Sequence, residues 1–144
     1  MSLTKKLNVY LANQQVMYIK LHNLHWYVKG TSFFTLHVKF EELYDQTAEM
    51  VDDVAERILA ISKKPVASLK GALEIATIKE LSDEYITSND SVKVLLEDFK
   101  TLRDDTSELI SLSEEAHDVV TADLLTGYLA SYEKTLWMLH AYLD

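Results

Sequence analysis

Three of the chain's five histidines lie close together, in the stretch LHNLHWYVKGTSFFTLH at 21–37. His25 comes five residues before Gly30, and His37 comes seven residues after it. A helical hairpin that turns at Gly30 would bring the two imidazoles to about the same level, one from each helix. Imidazole binds iron and zinc, and because the chain has no cysteine, any metal must be held by nitrogen and oxygen. The pattern therefore favours a metal site beside this turn.

Carboxylates extend the pattern along the segment after Gly30. Glu41 follows His37 by four residues and Glu56 follows Asp52 by four, so each pair shares one face of a helix. Glu41 and Asp52 are eleven residues apart, which is roughly 16 Å along a helix axis. Ligand atoms lie only about 2–2.5 Å from a metal. One centre in one chain therefore cannot easily use both pairs.

An antiparallel pairing of this helix with the same helix of a second copy would resolve the distance. The two helices would cross at the midpoint between Glu41 and Asp52, where Ala48 would permit a close approach. The histidine–glutamate pair of one chain would then lie opposite the Asp52/Glu56 pair of the other, twice in each dimer. Spacing alone fits a surface histidine and a solvated acidic helix face equally well, so both interpretations stay open at this point.

The hydrophobic pattern predicts four long helices that would position these residues. Apolar residues recur in steps of three and four over 3–29, 33–62, 89–114 and 118–143. The segment SLKGALEIATI at 68–78 predicts a brief helix in the longest connection. The sequence therefore predicts an all-α protein: a ferritin-like four-helix bundle with a short extra helix between helices two and three, as a single domain over 1–144.

Composition narrows the class of function. The 144 residues are 48% hydrophobic and 26% charged, with a formal net charge of −9. An acidic surface suits cations as partners better than nucleic acid, because DNA-binding surfaces are usually basic. No apolar run approaches the length of a membrane span, about 18 residues. The start MSLTKKLNVYLANQQ has no signal-peptide core, so we expect a cytoplasmic protein without membrane contact.

Two motifs resemble those of the Dps proteins, the mini-ferritins: HWYVKGTSFFTLHVKFEELY at 25–44 and DDVAERILAI at 52–61. The segment 68–78 is similar to the short helix of that family, and the resemblance extends over essentially the whole chain. It implies a homo-oligomeric, dodecameric shell with ferroxidase centres at its two-fold interfaces. There Fe(II) would be oxidised, preferentially by hydrogen peroxide, and the ferric product would be stored inside the shell.

The resemblance also implies a set of iron ligands. Carried over by motif position, they are His25, His37, Glu41, Asp52 and Glu56. Family members often have aspartate where this chain has Glu41, whose side chain is one methylene longer. We therefore expect Glu41 to keep the role of a ligand, with an altered geometry or an altered affinity of the second metal site.

Two residues beside His25 are candidates for supporting roles. Trp26 follows it directly and would intercept oxidising equivalents as an electron donor; the alternative is an aromatic residue packed in an interface. His22 lies about one turn earlier. It would contact the ligands without binding the metal itself. The alternative is a histidine that faces solvent.

Acidic residues near the start of the last helix suggest an entry route for iron. Asp118 and Asp123 would either cap that helix or, by family resemblance, line an acidic pore for Fe(II), with Glu114 and Glu115 as further contributors. A Glu-x-x-His, a di-iron motif in other ferritin-like proteins, also ends at His117. It occurs once, at a predicted helix end, and we interpret it as coincidence.

Two other functions fit the sequence less well. A nucleoid protein that mainly binds DNA usually carries a Lys/Arg-rich terminal extension in this family, and here only a few residues precede the first helix. Bridging by Mg²⁺ or a basic surface strip would still permit DNA binding. A structural cage with a zinc-occupied or degenerate site is the other alternative, and the intact set of candidate ligands argues against degeneracy.

Overall fold

Four long helices dominate the computed structural model, which describes residues 1–144. In chain order the helices are α1 (Leu3–Tyr27), α2 (Phe33–Ala60), the short α3 (Leu69–Ile75), α4 (Ser88–Glu115) and α5 (Val119–Leu143). Helix α1 packs mainly against α2, α4 packs mainly against α5, and α1 joins the two pairs through α4. The predicted four-helix bundle with a short helix between its second and third long helices is confirmed.

Capping side chains set the starts of four helices. Ser2, Ser68, Thr87 and Asp118 each accept a hydrogen bond from the backbone N–H three residues further on, which satisfies one of the free donors of the first turn. The predicted starts of the long helices therefore agree with the structure to within a residue. None of the helices combines the length and the apolar character that crossing a bilayer requires.

The ends of α1 and α2 differ from the sequence prediction. Helix α1 ends at Tyr27 rather than 29, because Val28–Lys29 forms a strand, β1, that pairs in parallel with β2, Ile86–Thr87. Helix α2 ends at Ala60 rather than 62, and Ser62 adopts a left-handed φ of 63° just beyond it. The small β-bridge ties the α1–α2 turn to the start of α4.

Gly30 fixes the turn between α1 and α2. Its φ is +116°, a conformation that residues with a Cβ rarely adopt. A Cβ at this position would also approach Ser88 Oγ to 3.1 Å. Ser88 Oγ in turn donates to the carbonyl oxygen of Lys29 at 3.0 Å. The hairpin that carries His25 and His37 is therefore held against α4 in one geometry.

Several polar side chains inside the bundle pair with one another. The hydroxyls of Tyr10 and Thr106 lie 2.8 Å apart, and Gln14 Nε2 donates to the hydroxyl of Tyr132 at 3.3 Å. Burial raises the pKa of Tyr132 to about 12, so this phenol stays neutral and protonated. Hydrophobic side chains fill the centre of the bundle. This leaves no room there for a metal site, so the candidate ligands are those nearer the surface.

Candidate metal centre

His25 near the end of α1 and His37 in the second turn of α2 are in direct contact. Their rings stack with centroids 3.7 Å apart and planes inclined by 11°. His25 Nδ1 lies 2.6 Å from the carbonyl oxygen of His37, and His37 Nδ1 lies 2.7 Å from that of His25. Because a carbonyl only accepts, each Nδ1 carries a proton, and Nε2 is the nitrogen that each ring leaves for a metal.

The stacking also bears on the number of metal ions that the two imidazoles can bind. The Nε2 lone pair lies in the plane of its ring, and the two planes are nearly parallel at a centroid distance of 3.7 Å. The two lone pairs therefore do not converge on a single point. The arrangement suits two neighbouring ions, one on each imidazole, as in two-metal sites.

Glu41 lies about one turn after His37 on α2. Its side chain is 55% exposed, and its Oε1 is 3.7 Å from His25 Nε2. Two ligands that each sit about 2.0–2.2 Å from a metal are roughly 3.0–3.5 Å apart. A small movement of Glu41 would thus allow both atoms to bind one ion.

Tyr44 joins this group, and the sequence analysis missed it. Its ring stacks on His22 with centroids 3.8 Å apart and meets His25 edge-on at 5.4 Å. Its hydroxyl donates to Glu41 Oε1 at 3.4 Å. Partial desolvation, followed by the carboxylates of Glu41 and Asp45, raises the pKa of Tyr44 above its usual value. The three-residue spacing from Glu41 on a helix was the signal that could have identified it.

His22 and Trp26 extend the aromatic group along α1. His22 is half-buried, and its Nδ1 lies 2.8 Å from the carbonyl oxygen of Tyr18. Trp26 is 65% exposed and reaches the group through His22, with ring centroids 5.3 Å apart. Both residues that the sequence placed beside the ligands are therefore in the same aromatic cluster as Tyr44.

The other two candidate ligands are not brought to this group within one chain. Asp52 and Glu56 are exposed on α2, about three and four turns beyond Glu41 respectively. No set of three or more histidine and carboxylate side chains in the single chain is arranged to hold a metal.

An apolar groove lies along α2 between the two ends of the ligand pattern. Its volume is about 560 Å³, and its lining includes Ala48, Val51 and Ala55 on α2. At the level of the expected crossing, Thr47 is buried in its own chain and Gln46 donates to Ser131 of α5. Small apolar side chains are thus exposed beside the candidate ligands, as is typical of a subunit interface.

Asp118 is engaged inside its own chain. It accepts hydrogen bonds from the backbone N–H and the hydroxyl of Thr121, and it forms an ion pair with Arg57 of α2 at 3.0 Å. Desolvation alone would raise its pKa, but the Thr121 hydrogen bonds and the Arg57 guanidinium outweigh it and lower the pKa. Capping is therefore the observed role of Asp118, whereas Asp123, Glu114 and Glu115 are exposed.

Comparison with known proteins identifies the family. A family model described as a ferritin-like domain matches residues 4–144. The chain is 44% identical over 138 residues to the DNA protection during starvation protein 2 of Bacillus anthracis, covering 96% of this chain and 94% of that protein. The chain belongs to the Dps family of ferritin-like proteins. The resemblance of its motifs to Dps is thereby confirmed.

Solved Dps structures share the whole fold. Dps from Staphylococcus aureus superposes with a TM-score of 0.94 at 42% identity, over 99% of this chain and 95% of that one. The Dps protein from Vibrio cholerae O1 superposes with a TM-score of 0.94 at 38% identity, over 99% of this chain and 89% of that one. The latter is described as a member of a broad superfamily of ferritin-like diiron-carboxylate proteins.

Proposed function

We propose that this Dps chain oxidises Fe(II) at a dinuclear centre shared by two subunits and stores the ferric product inside a closed shell. The observation that carries the proposal is the pair His25 and His37, whose Nδ1 atoms are tied to backbone carbonyls so that both Nε2 lone pairs are free. Glu41 beside them supplies a carboxylate at 3.7 Å from His25 Nε2. Membership in the ferritin-like family supports iron as the metal.

A second subunit would complete the ligand set. Asp52 lies roughly 16 Å and Glu56 roughly 22 Å along α2 from Glu41, too far to join it on one ion. A two-fold axis near Ala48 would bring them opposite the histidines of the partner and would cover the apolar groove along α2. The absence of a complete ligand cluster in the single chain supports a shared site.

Iron is the substrate in this reaction, and the protein supplies ligands and orientation. Imidazole and carboxylate ligands with open positions suit the oxidation of Fe(II). Two Fe(II) ions each lose one electron, and one hydrogen peroxide accepts both electrons with two protons to give two waters. Holding two ions side by side favours this paired transfer, whereas transfer of a single electron to peroxide would release hydroxyl radical.

The remaining candidate residues have proposed roles around this centre. Asp123, Glu114 and Glu115 are exposed and would line the entry pore of a dodecameric shell, with Asp118 anchoring its wall through Arg57. Trp26 would donate an electron to stray oxidant, since it is exposed and contacts His22. The cytoplasmic location expected from the sequence stays a prediction.

Protection of DNA is the activity named for the Bacillus anthracis relative. Removing Fe(II) and peroxide would protect DNA without contact, and this account fits a chain with a net charge of −9. The alternative is a nucleoid protein that binds DNA directly. A basic strip or bridging by Mg²⁺ would be needed for it.

Oxidation of Fe(II) without oxygen tests the proposal. Peroxide added anaerobically should oxidise two Fe(II) per peroxide, faster than air does, and His25→Ala should abolish the protein-dependent rate. His140→Ala, which removes an exposed histidine of α5, is the matched control and should behave as wild type. Oxidation no faster than in protein-free buffer would refute the ferroxidase function. Equal rates with air and peroxide would refute only the peroxide preference.

A further inference from the structure

We infer that Tyr44 is a positioning residue that orients the Glu41 carboxylate for metal binding, and that His22 holds Tyr44 in place. This inference rests on the proposed function and explains what orients one of its ligands, Glu41. Neither Tyr44 nor His22 needs to touch the metal for this role.

Glu41 is the least restrained of the ligands on its side of the centre. His25 and His37 are each fixed by a hydrogen bond to a backbone carbonyl, whereas Glu41 has a long, flexible side chain that is 55% exposed. Ordering such a side chain costs conformational entropy when a metal binds. Its one hydrogen bond within the chain comes from the Tyr44 hydroxyl.

The hydrogen bond reaches the oxygen that faces the site. Glu41 Oε1 lies 3.7 Å from His25 Nε2 and accepts from Tyr44 at 3.4 Å. A carboxylate oxygen has more than one lone pair, so it can accept this hydrogen bond and still bind a metal. Carboxylate ligands are commonly oriented by such outer hydrogen bonds. Because the bond is long, we expect a moderate effect on affinity.

Aromatic contacts fix the ring of Tyr44. It stacks on His22 with planes 19° apart, and it meets Tyr18 and His25 edge-on. The His22 ring is itself held by the Tyr18 carbonyl at 2.8 Å. A connected path therefore runs from the backbone of α1 through His22 and Tyr44 to Glu41.

The hydrogen bond between Tyr44 and Glu41 depends on the length of the side chain at position 41. Glutamate holds its carboxylate one methylene further from the α2 backbone than aspartate would. In this position the carboxylate accepts the hydrogen bond from the Tyr44 hydroxyl. Aspartate at position 41 would withdraw the carboxylate from the hydroxyl. The effect of Tyr44 on metal binding should therefore depend on which residue occupies position 41.

Removing one hydroxyl tests the inference directly. Tyr44→Phe keeps the ring and its stack on His22 but removes the donor. In calorimetric titrations with Fe(II) without oxygen, and separately with Zn²⁺, we expect binding to weaken roughly three- to tenfold. Tyr142→Phe is the matched control, since this exposed tyrosine of α5 lies outside the cluster and its hydroxyl forms no hydrogen bond within the chain; it should bind as wild type.

A double variant shows whether Tyr44 acts through Glu41. In a Glu41→Asp background, Tyr44→Phe should cause little further loss, whereas independent effects would multiply. His22→Ala provides a second route, because loss of the stack should weaken binding in the same direction even if Tyr44→Phe fails to assemble.

The outcomes are distinct. Unchanged affinity in Tyr44→Phe, or an equal loss in Tyr142→Phe, would overturn the inference, as would a full additional loss in the Glu41→Asp background. If the wild-type protein binds Zn²⁺ with the expected Tyr44 dependence but does not oxidise Fe(II), the proposed function fails and the positioning role stands.

Discussion

His25 and His37 each bond through Nδ1 to the backbone carbonyl of the other, at 2.6 and 2.7 Å. Neither ring can turn without losing a hydrogen bond, so the two imidazoles are oriented before any metal arrives. The same bonds join the end of α1 to the start of α2. The geometry of the candidate centre therefore depends on the turn at Gly30 that lies between them.

Gly30→Ala should destabilise the fold and weaken metal binding together. Alanine would be forced to φ +116°, with its Cβ 3.1 Å from Ser88 Oγ. We expect a loss of about 1–3 kcal/mol in the free energy of unfolding, measured by urea denaturation. Gly127→Ala is the control: its Cβ would meet nothing within 4 Å, so a gain of roughly 0.5–1 kcal/mol is expected in the α5 helix. Equal stability of the two variants would contradict the prediction.

Asp118→Asn should lower the free energy of unfolding at neutral pH, and this difference from wild type should disappear in acid. The folded chain lowers the pKa of Asp118 below its usual value. The stability from its ionised form is therefore present above the unfolded pKa of about 3.9 and disappears as the pH falls through the folded pKa. Asparagine still caps the helix, so we expect a loss of about 0.5–1 kcal/mol at pH 7.

Urea denaturation at pH 7 and at a series of lower pH values measures this difference. Asp123→Asn, at an exposed position on the same helix, should remain within the error of wild type throughout. A difference between Asp118→Asn and wild type that persists undiminished at the most acidic pH would show that the charge of Asp118 is not responsible.

The sequence predicted the elements well where they depend on local patterns. Periodicity located the four long helices and placed their starts to within a residue. The predicted ends of α1 and α2 were each two residues too long. For α1 the reason is the pairing of Val28 with Ile86, which joins positions far apart in sequence. The spacing of hydrophobic residues carries no information about such a long-range contact.

The site was predictable to a similar extent. The spacing of His25 and His37 about Gly30 predicted that they meet, and the structure brings them together. Their reciprocal backbone bonds could not be foreseen, since these depend on the exact angle of the hairpin. Tyr44 was missed because its stack on His22 depends on how α1 packs against α2. Arg57 was missed because its partner, Asp118, lies 61 residues away.

Ala48→Arg should disrupt the two-fold assembly and abolish iron oxidation without unfolding the helices. Ala48 is exposed in the groove along α2, and an arginine there would prevent close approach of a second copy. Light scattering should show loss of the wild-type mass, expected at about twelve times the 16.5 kDa chain. Ala130→Arg, at an exposed alanine of α5, tests whether any added arginine has this effect. An active Ala48→Arg monomer would contradict the shared site.

Plasmid DNA should not be retarded on a gel by this chain at physiological salt without divalent ions. The formal net charge of −9 repels phosphate, and few counterions would be released on contact. Retardation that weakens with added salt would favour direct DNA binding. Retardation only in the presence of Mg²⁺ would indicate bridging.

Mixing two inactive variants tests whether each iron centre is shared between chains. His37→Ala and Asp52→Ala should each be inactive as homodimers, because every shared centre needs one residue of each kind. A mixed dimer would contain one centre with both lesions and one centre with none. Random pairing after joint unfolding and refolding makes about half the dimers mixed, so about a quarter of the wild-type centres should return.

Peroxide-driven oxidation of Fe(II) measures the recovery, with each variant refolded alone as a control. The mixture should reach about a quarter of the wild-type rate while its parents stay inactive, and changing the mixing ratio should lower the recovery on either side of equality. A site built within one subunit predicts no recovery at any ratio, since no chain would carry both intact residues. If mass spectrometry confirms exchange of subunits, light scattering confirms assembly and the mixture is still inactive, the centre is not shared.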